Sequence, residues 1–214
     1  MYRLNNRLDW RSVLVLALLL MGGQNLFAAG LIKAKAVLAP VLIGHAWDRT
    51  VAGGGLPVKP WPWADTWPVA RLQVPGAGIS QYVLAGDSGN ALAFGPGHSL
   101  ASAPLGSHGQ AVIGGHRDTH FAFLRELPAS AKLQLQLPSG RWRQYRVTGR
   151  WVVDAEQESL APDLSRESLL LVTCYPFDSL LAGGPLRYVV HARALTGEAQ
   201  NPAAIASSTE AFRL

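Results

Sequence analysis

From Val69 onward the chain is a succession of short β-patterned runs separated by turns bearing Gly and Pro, and no other feature limits its fold so tightly. Lys132-Leu133-Gln134-Leu135-Gln136-Leu137 alternates without error, as a strand with one face in a core must. Pro138-Ser139-Gly140 follows it and predicts a tight hairpin. The expected strands cover 69–74, 79–84, 111–115, 132–137, 142–148, 150–154, 168–174 and 187–195. Leu169-Leu170-Leu171-Val172 is apolar without alternation and predicts a central strand covered on both faces. Short helical turns are expected at 91–94, 120–127 and 159–164. Eight short strands with turns between them predict a mainly β domain, a closed or nearly closed barrel rather than an open α/β sheet.

Ahead of this domain, Arg3, Arg7 and Arg11 precede an apolar stretch interrupted only by Gln24 and Asn25. Twenty residues at about 1.5 Å each reach across about 30 Å of hydrocarbon. The sequence therefore predicts a basic cytoplasmic tail at 1–12 and an uncleaved transmembrane anchor at 13–32. The positive charge before the span puts everything after it outside the cytoplasm. Signal-peptide cleavage is the competing reading, but the small-x-small site Ala34-Lys35-Ala36 lies far beyond the apolar stretch. Residues 33–68 read as an amphipathic segment interrupted by Pro40, then a Gly-, Pro- and Trp-rich linker. Trp61, Trp63 and Trp67 are too apolar for idle spacer and are expected to pack on the domain or sit near the bilayer. Residues 69–196 form the folded domain and 197–214 a frayed tail.

Three strand termini carry chemistry. The single cysteine of the 214-residue chain, Cys174, closes one apolar run, and Pro176 ends that strand just beyond it. His116 closes the run Ala111-Val112-Ile113-Gly114-Gly115-His116, and Arg187 opens the run Arg187-Tyr188-Val189-Val190-His191-Ala192. Converging, they would supply a nucleophile, a proton carrier and an oxyanion partner for acyl transfer. Taken singly, each has a plainer reading: a buried small hydrophobe, a turn histidine, a surface arginine. An unpaired thiol outside the cytoplasm is open to oxidation, which favours a chemical role for Cys174. Asp118 could orient the His116 ring, pair with Arg117 or cap the next turn. His98 could line a groove or be a surface turn residue. His116 and His120 stand at the i, i+4 spacing of metal ligands, with Cys174 as a third donor, but 114–118 reads as a strand end and loop. No metal and no cofactor are expected.

Taken together these residues resemble the sortase family. Its TLxTC motif appears as Leu170-Leu171-Val172-Thr173-Cys174, with Leu in place of the leading Thr, and its histidine motif as Gly115-His116-Arg117-Asp118-Thr119. Trp61-Pro62-Trp63-Ala64-Asp65-Thr66-Trp67-Pro68 and Thr173-Cys174-Tyr175-Pro176-Phe177 look most like the Gram-negative proteobacterial class, close to the class D type. The resemblance implies an eight-stranded sortase β-barrel behind a transmembrane helix and a cysteine transpeptidase with Cys174, His116 and Arg187 as its catalytic residues. Thr173, Asp118 and His98 are the candidate supporting residues. It further implies a protein substrate bearing a C-terminal LPxTG-like sorting signal, an amine acceptor, and a place on the inner membrane facing the periplasm. Two other readings compete. A lone-cysteine cell-wall L,D-transpeptidase would carry an SxGC-type motif, which is absent here; an anchored periplasmic β-domain would bind a peptide partner without turnover.

Net charge is +5, with no Lys/Arg-rich block and no interleaving of basic and aromatic residues, so nucleic-acid binding is not expected. Charged residues are only 15% of the chain, too few for a disordered protein of this length.

Overall fold

A computed structural model of the chain describes residues 9–157, 166–179 and 183–195, apart from the side chains of 31, 32, 34 and 35. The helical turn expected at 159–164 and the tail at 197–214 lie outside the described residues.

The chain divides into two units, Met1–Val41 and Leu42–Leu214. Helix α1 (Trp10–Ala52) begins in the first. Its stretch Trp10–Gly30 is long and apolar enough to cross a bilayer, and none of it is buried. The Asn25 side chain, a polar interruption of that stretch, donates to the Met21 carbonyl at 2.8 Å, one turn back on the same helix. The expected break at Pro40 does not occur, since Pro40 lies inside the helix. A mid-helix proline costs about 3 kcal/mol. Beyond it, Ile43, Trp47 and Thr50 are buried in the second unit. Burying one such large apolar side chain returns about 1.5–3 kcal/mol, which offsets the proline.

Side chains from residues 42–67 pack on the rest of the second unit. The Trp47 indole donates to Gln136 Oε1 at 3.3 Å and lies 6.3 Å from the Tyr82 ring. Trp61 packs edge-on against Phe94, and the Trp67 carbonyl accepts from the Ala85 amide. Trp63, by contrast, is 82% exposed.

The domain is one closed eight-stranded barrel. Its strands are β1 (Pro68–Val74), β2 (Ile79–Ala85), β3 (Gly97–His98), β4 (Gln110–Gly114), β5 (Lys132–Gln136), β6 (Trp142–Asp154), β7 (Ser168–Cys174) and β8 (Leu186–Ala194). They close in the order β1-β2-β3-β4-β7-β8-β6-β5. Alternation sets the faces: Ala70, Leu72 and Val74 of β1 and Leu133 and Leu135 of β5 enter the core, while Arg71, Gln73, Gln134 and Gln136 do not. The hairpin after β5 turns at Gly140, whose φ of 78° suits glycine. Leu169 and Leu171 of β7 join the main core, whereas Leu170 packs with Val153 and Val189 in a second cluster. Both faces of β7 are thus covered, which explains its unbroken apolar run.

Two strands differ from expectation. Residues 142–148 and 150–154 form one strand, β6, because Gly149 marks a bulge and not a break. Register slips between Val147 and Gly149, and the Thr148 hydroxyl meets His191 Nδ1 at 3.1 Å. The eighth strand is instead β3, two residues with no apolar run. It bridges β2 and β4 because backbones meet closely there: a Cβ on Gly97 would lie 2.1 Å from the Gly86 carbonyl oxygen. The expected turns at 91–94 and 120–127 are the short helix α2 (Gly89–Leu92) and a 3-10 turn, Ala122–Arg125.

At the Ser168 end of β7, Tyr145 donates to Glu167 at 2.6 Å and Arg143 pairs with the same carboxylate at 3.0 Å. Burial first, then the bond and charge of Glu167, push the Tyr145 phenol well above its usual range.

Candidate active site

The opposite end of β7 gathers the chemistry. β7 and β8 run antiparallel, and their register sets Cys174 against Arg187. Directly opposed residues have Cα atoms about 4.5–5.5 Å apart and side chains on one face of the sheet. On the other side β7 runs parallel to β4, with Gly114 level with Val172. The ladder continues one step beyond β4, where the Gly115 amide donates to the Val172 carbonyl at 3.1 Å. Thr173 closes the seam: buried, it donates its hydroxyl to the Gly115 carbonyl at 2.7 Å. His116 is the next residue, so the sheet carries it to the level of Cys174.

Gly115 has a packing reason as well. A Cβ there would lie 2.7 Å from the Phe121 ring, which packs in the core beneath the His116 loop. The His116 carbonyl in turn accepts from the Phe121 amide at 2.9 Å and holds the loop curled. His116 itself is exposed, while Cys174 and Arg187 are half-buried. Arg187 Nη1 donates to the Gly184 carbonyl and, at 2.9 Å, to the Leu186 carbonyl, which anchors the guanidinium to the turn entering β8.

The other sequence candidates fall out differently. Asp118 is 70% exposed and its carboxylate lies 3.2 Å from Arg117 Nε, the pairing alternative rather than the ring-orienting one. His98 is no surface turn residue: it is buried on β3, and its Nε2 lies 3.0 Å from the Ala103 carbonyl and 3.3 Å from the Ser102 hydroxyl. That engagement makes it a joint between β3 and the following loop. Among the described residues, no three His, Cys, Asp or Glu side chains converge as metal ligands.

His120 is half-buried near His116. Burial first, then the His116 charge, hold its imidazole below the usual 6.5. A base held low in the folded state leaves stability undiminished above pH 6.5. Below that the unfolded chain takes the proton more readily, and stability is lost as pH falls through the folded value. Melting followed from pH 7.5 to 5 should show this loss in the wild type and a flatter profile in His120→Gln. Identical profiles would show that His120 does not carry it.

Sequence reasoning missed Arg117, weighed only as a partner for Asp118. It is buried and reaches from the His116 loop to the loop after Cys174, donating to the Pro176 and Ser179 carbonyls. Beside it Tyr175, Phe177 and Tyr188 form a ring cluster, with Phe177 and Tyr188 centroids 5.2 Å apart. An Arg inside an exposed-looking Gly-His-Arg-Asp loop carries no local signal of burial.

Strand order defines the class first: this is a sortase-type closed β-barrel. The sortase domain profile matches residues 72–195. Sortase D of Bacillus subtilis (strain 168) is 33% identical over 81 residues, which are 37% of this chain and 40% of that protein. The match thus spans less than half of that relative's length. Among solved structures, sortase A from Corynebacterium diphtheriae is 25% identical with a TM-score of 0.55 over 66% of each chain. The sortase D5 transpeptidase of Clostridium perfringens, at 21% identity, shares the fold with a TM-score of 0.53 over 60% of this chain and 79% of its own. The chain belongs to the sortase family.

Proposed function

We propose that the protein is a membrane-anchored, class D-like cysteine transpeptidase that cleaves an LPxTG-like sorting signal and passes the acyl group to an amine. The observation that carries this reading is the register of Cys174 against Arg187 at an accessible strand end, with the His116 loop level with both.

In the reaction, Cys174 Sγ attacks the carbonyl carbon of the signal's Thr. The oxygen of the tetrahedral intermediate takes the charge, and the Arg187 fork, fixed at the turn into β8, donates to it. The C–N bond to the following residue breaks as His116 delivers to the departing amine the proton that left the thiol. A thioester on Cys174 remains. An incoming amine attacks it and gives its proton through His116 to the departing thiolate, so the free enzyme returns and a new amide forms. Thr173 and Gly115 hold the cysteine and histidine strands in register throughout.

Helix residues 13–32 cross the membrane, which covers side chains such as Leu18, Leu19 and Phe27 that the protein leaves exposed. Arg3, Arg7 and Arg11 keep the N-terminus cytoplasmic, and the barrel works on the periplasmic face of the inner membrane.

The test uses the full chain in detergent, a panel of LPxTG-type peptides and intact-mass analysis. Expected is a hydroxylamine-sensitive adduct on Cys174 with the mass of the acyl portion, discharged by added amine. A chain that forms no adduct and cleaves none of the panel, with a thiol that alkylates at ordinary pH dependence, would be the peptide-binding β-domain instead.

A further inference from the structure

The strand ladders stop at the level of the site. β4 ends at Gly114, β7 at Cys174, and β8 begins at Leu186. Beyond those points, contacts between loops must set how the His116 loop and the Cys174 loop sit. Among the described residues, Arg117 makes polar contacts between the two loops. Its side chain is 8% exposed, and its guanidinium donates Nη1 to the Pro176 carbonyl at 2.7 Å, Nη2 to the Ser179 carbonyl at 2.5 Å and Nε to Asp118 at 3.2 Å. One end of this brace is the residue after His116, and the other spans the second to the fifth residues after Cys174. On the same segment Phe177 packs on Tyr188, the residue after Arg187, and Arg125 lies over the Phe177 ring at 5.9 Å.

Burying a guanidinium is costly, and replacing a whole buried ion pair with apolar side chains of similar volume is often neutral for stability, whereas removing one partner alone is destabilising. What an apolar substitute cannot reproduce is a planar fork whose three nitrogens reach three separate acceptors in fixed directions. We propose that Arg117 is a positioning residue for the transfer reaction, locking the Tyr175–Ser179 segment to the His116 loop so that thiol and imidazole meet one acyl carbon. This inference rests on the transpeptidase reading for its catalytic consequence, but the brace itself does not.

The test compares Arg117→Met and Arg117→Lys with the wild type as full chains in detergent. Peptide cleavage is resolved into kcat and KM, thermal melting is recorded, and amide hydrogen exchange is followed across residues 175–179. Misplacing reacting groups by about 1 Å costs about 100-fold. Arg117→Met should therefore lose about 100-fold in kcat with KM changed by less than about threefold. Arg117→Lys, which keeps the charge without the fork, should recover no more than about a tenth of wild-type kcat. Exchange at 175–179 should quicken by about tenfold or more in both. Should Arg117→Met fail to fold, Arg117→Lys alone decides. Wild-type kcat in a folded variant, or a kcat loss equal to its unfolded fraction, would overturn the proposal. If the wild type itself cleaves no sorting peptide, the transpeptidase reading fails and exchange alone judges the brace: unchanged exchange in Arg117→Lys would sink it.

Discussion

Cys174→Ala is expected to remove all adduct formation and all peptide cleavage while the barrel melts as the wild type does. The thiol is half-buried at a strand end, and its loss leaves the strand register intact, so folding should survive. His116→Ala should be equally silent in turnover, because the departing amine then has no proton donor. Arg187→Ala should retain a trace, about 10²–10³ below wild type, the scale of losing one oxyanion donor, or about 2.7–4 kcal/mol. Intact-mass analysis separates the first from the last: no adduct for Cys174→Ala, a slow adduct for Arg187→Ala. Cleavage by Cys174→Ala at the wild-type rate would end the covalent mechanism.

Gly97→Ala should damage the barrel itself. The added methyl would sit 2.1 Å from the Gly86 carbonyl oxygen and 3.2 Å from the Asp87 Cα, both backbone atoms that no rotamer change can move. Gly97 pairs with Leu84 on one side and Gly114 on the other, so the strain falls on the joint that closes β2 to β4. Such overpacking costs about 2–4 kcal/mol, a fall of about 5–15 °C in melting temperature for a domain of this size. Gly76→Ala is the fitting comparison, since nothing lies within 4 Å of its Cβ position. Equal melting of the two variants would show that the β2–β3–β4 joint yields without cost. Because β4 leads directly to His116, activity in Gly97→Ala should fall along with stability.

Period-2 patterning made most of the barrel readable from the chain, and it placed Cys174, His116 and Arg187 at strand ends. Where local pattern misled, the cause was tertiary. Gly149 has the composition of a break, yet pairing with β8 on both sides keeps β6 continuous through a bulge. Pro40 should stop a helix, yet burial of Ile43 and Trp47 sustains it. β3 is invisible in sequence because two residues have no periodicity, and only neighbours on both edges make them a strand.

The order of the amino acids determined which segments are apolar, where the chain turns and which reactive groups stand at strand ends, since alternation and turn chemistry are local properties. Tertiary structure alone decided that Cys174 faces Arg187, that His98 is a buried joint and that Arg117 is enclosed between two loops. Register, burial and bracing come from segments distant in the chain meeting around one core, and no window along the sequence contains both partners of such a contact.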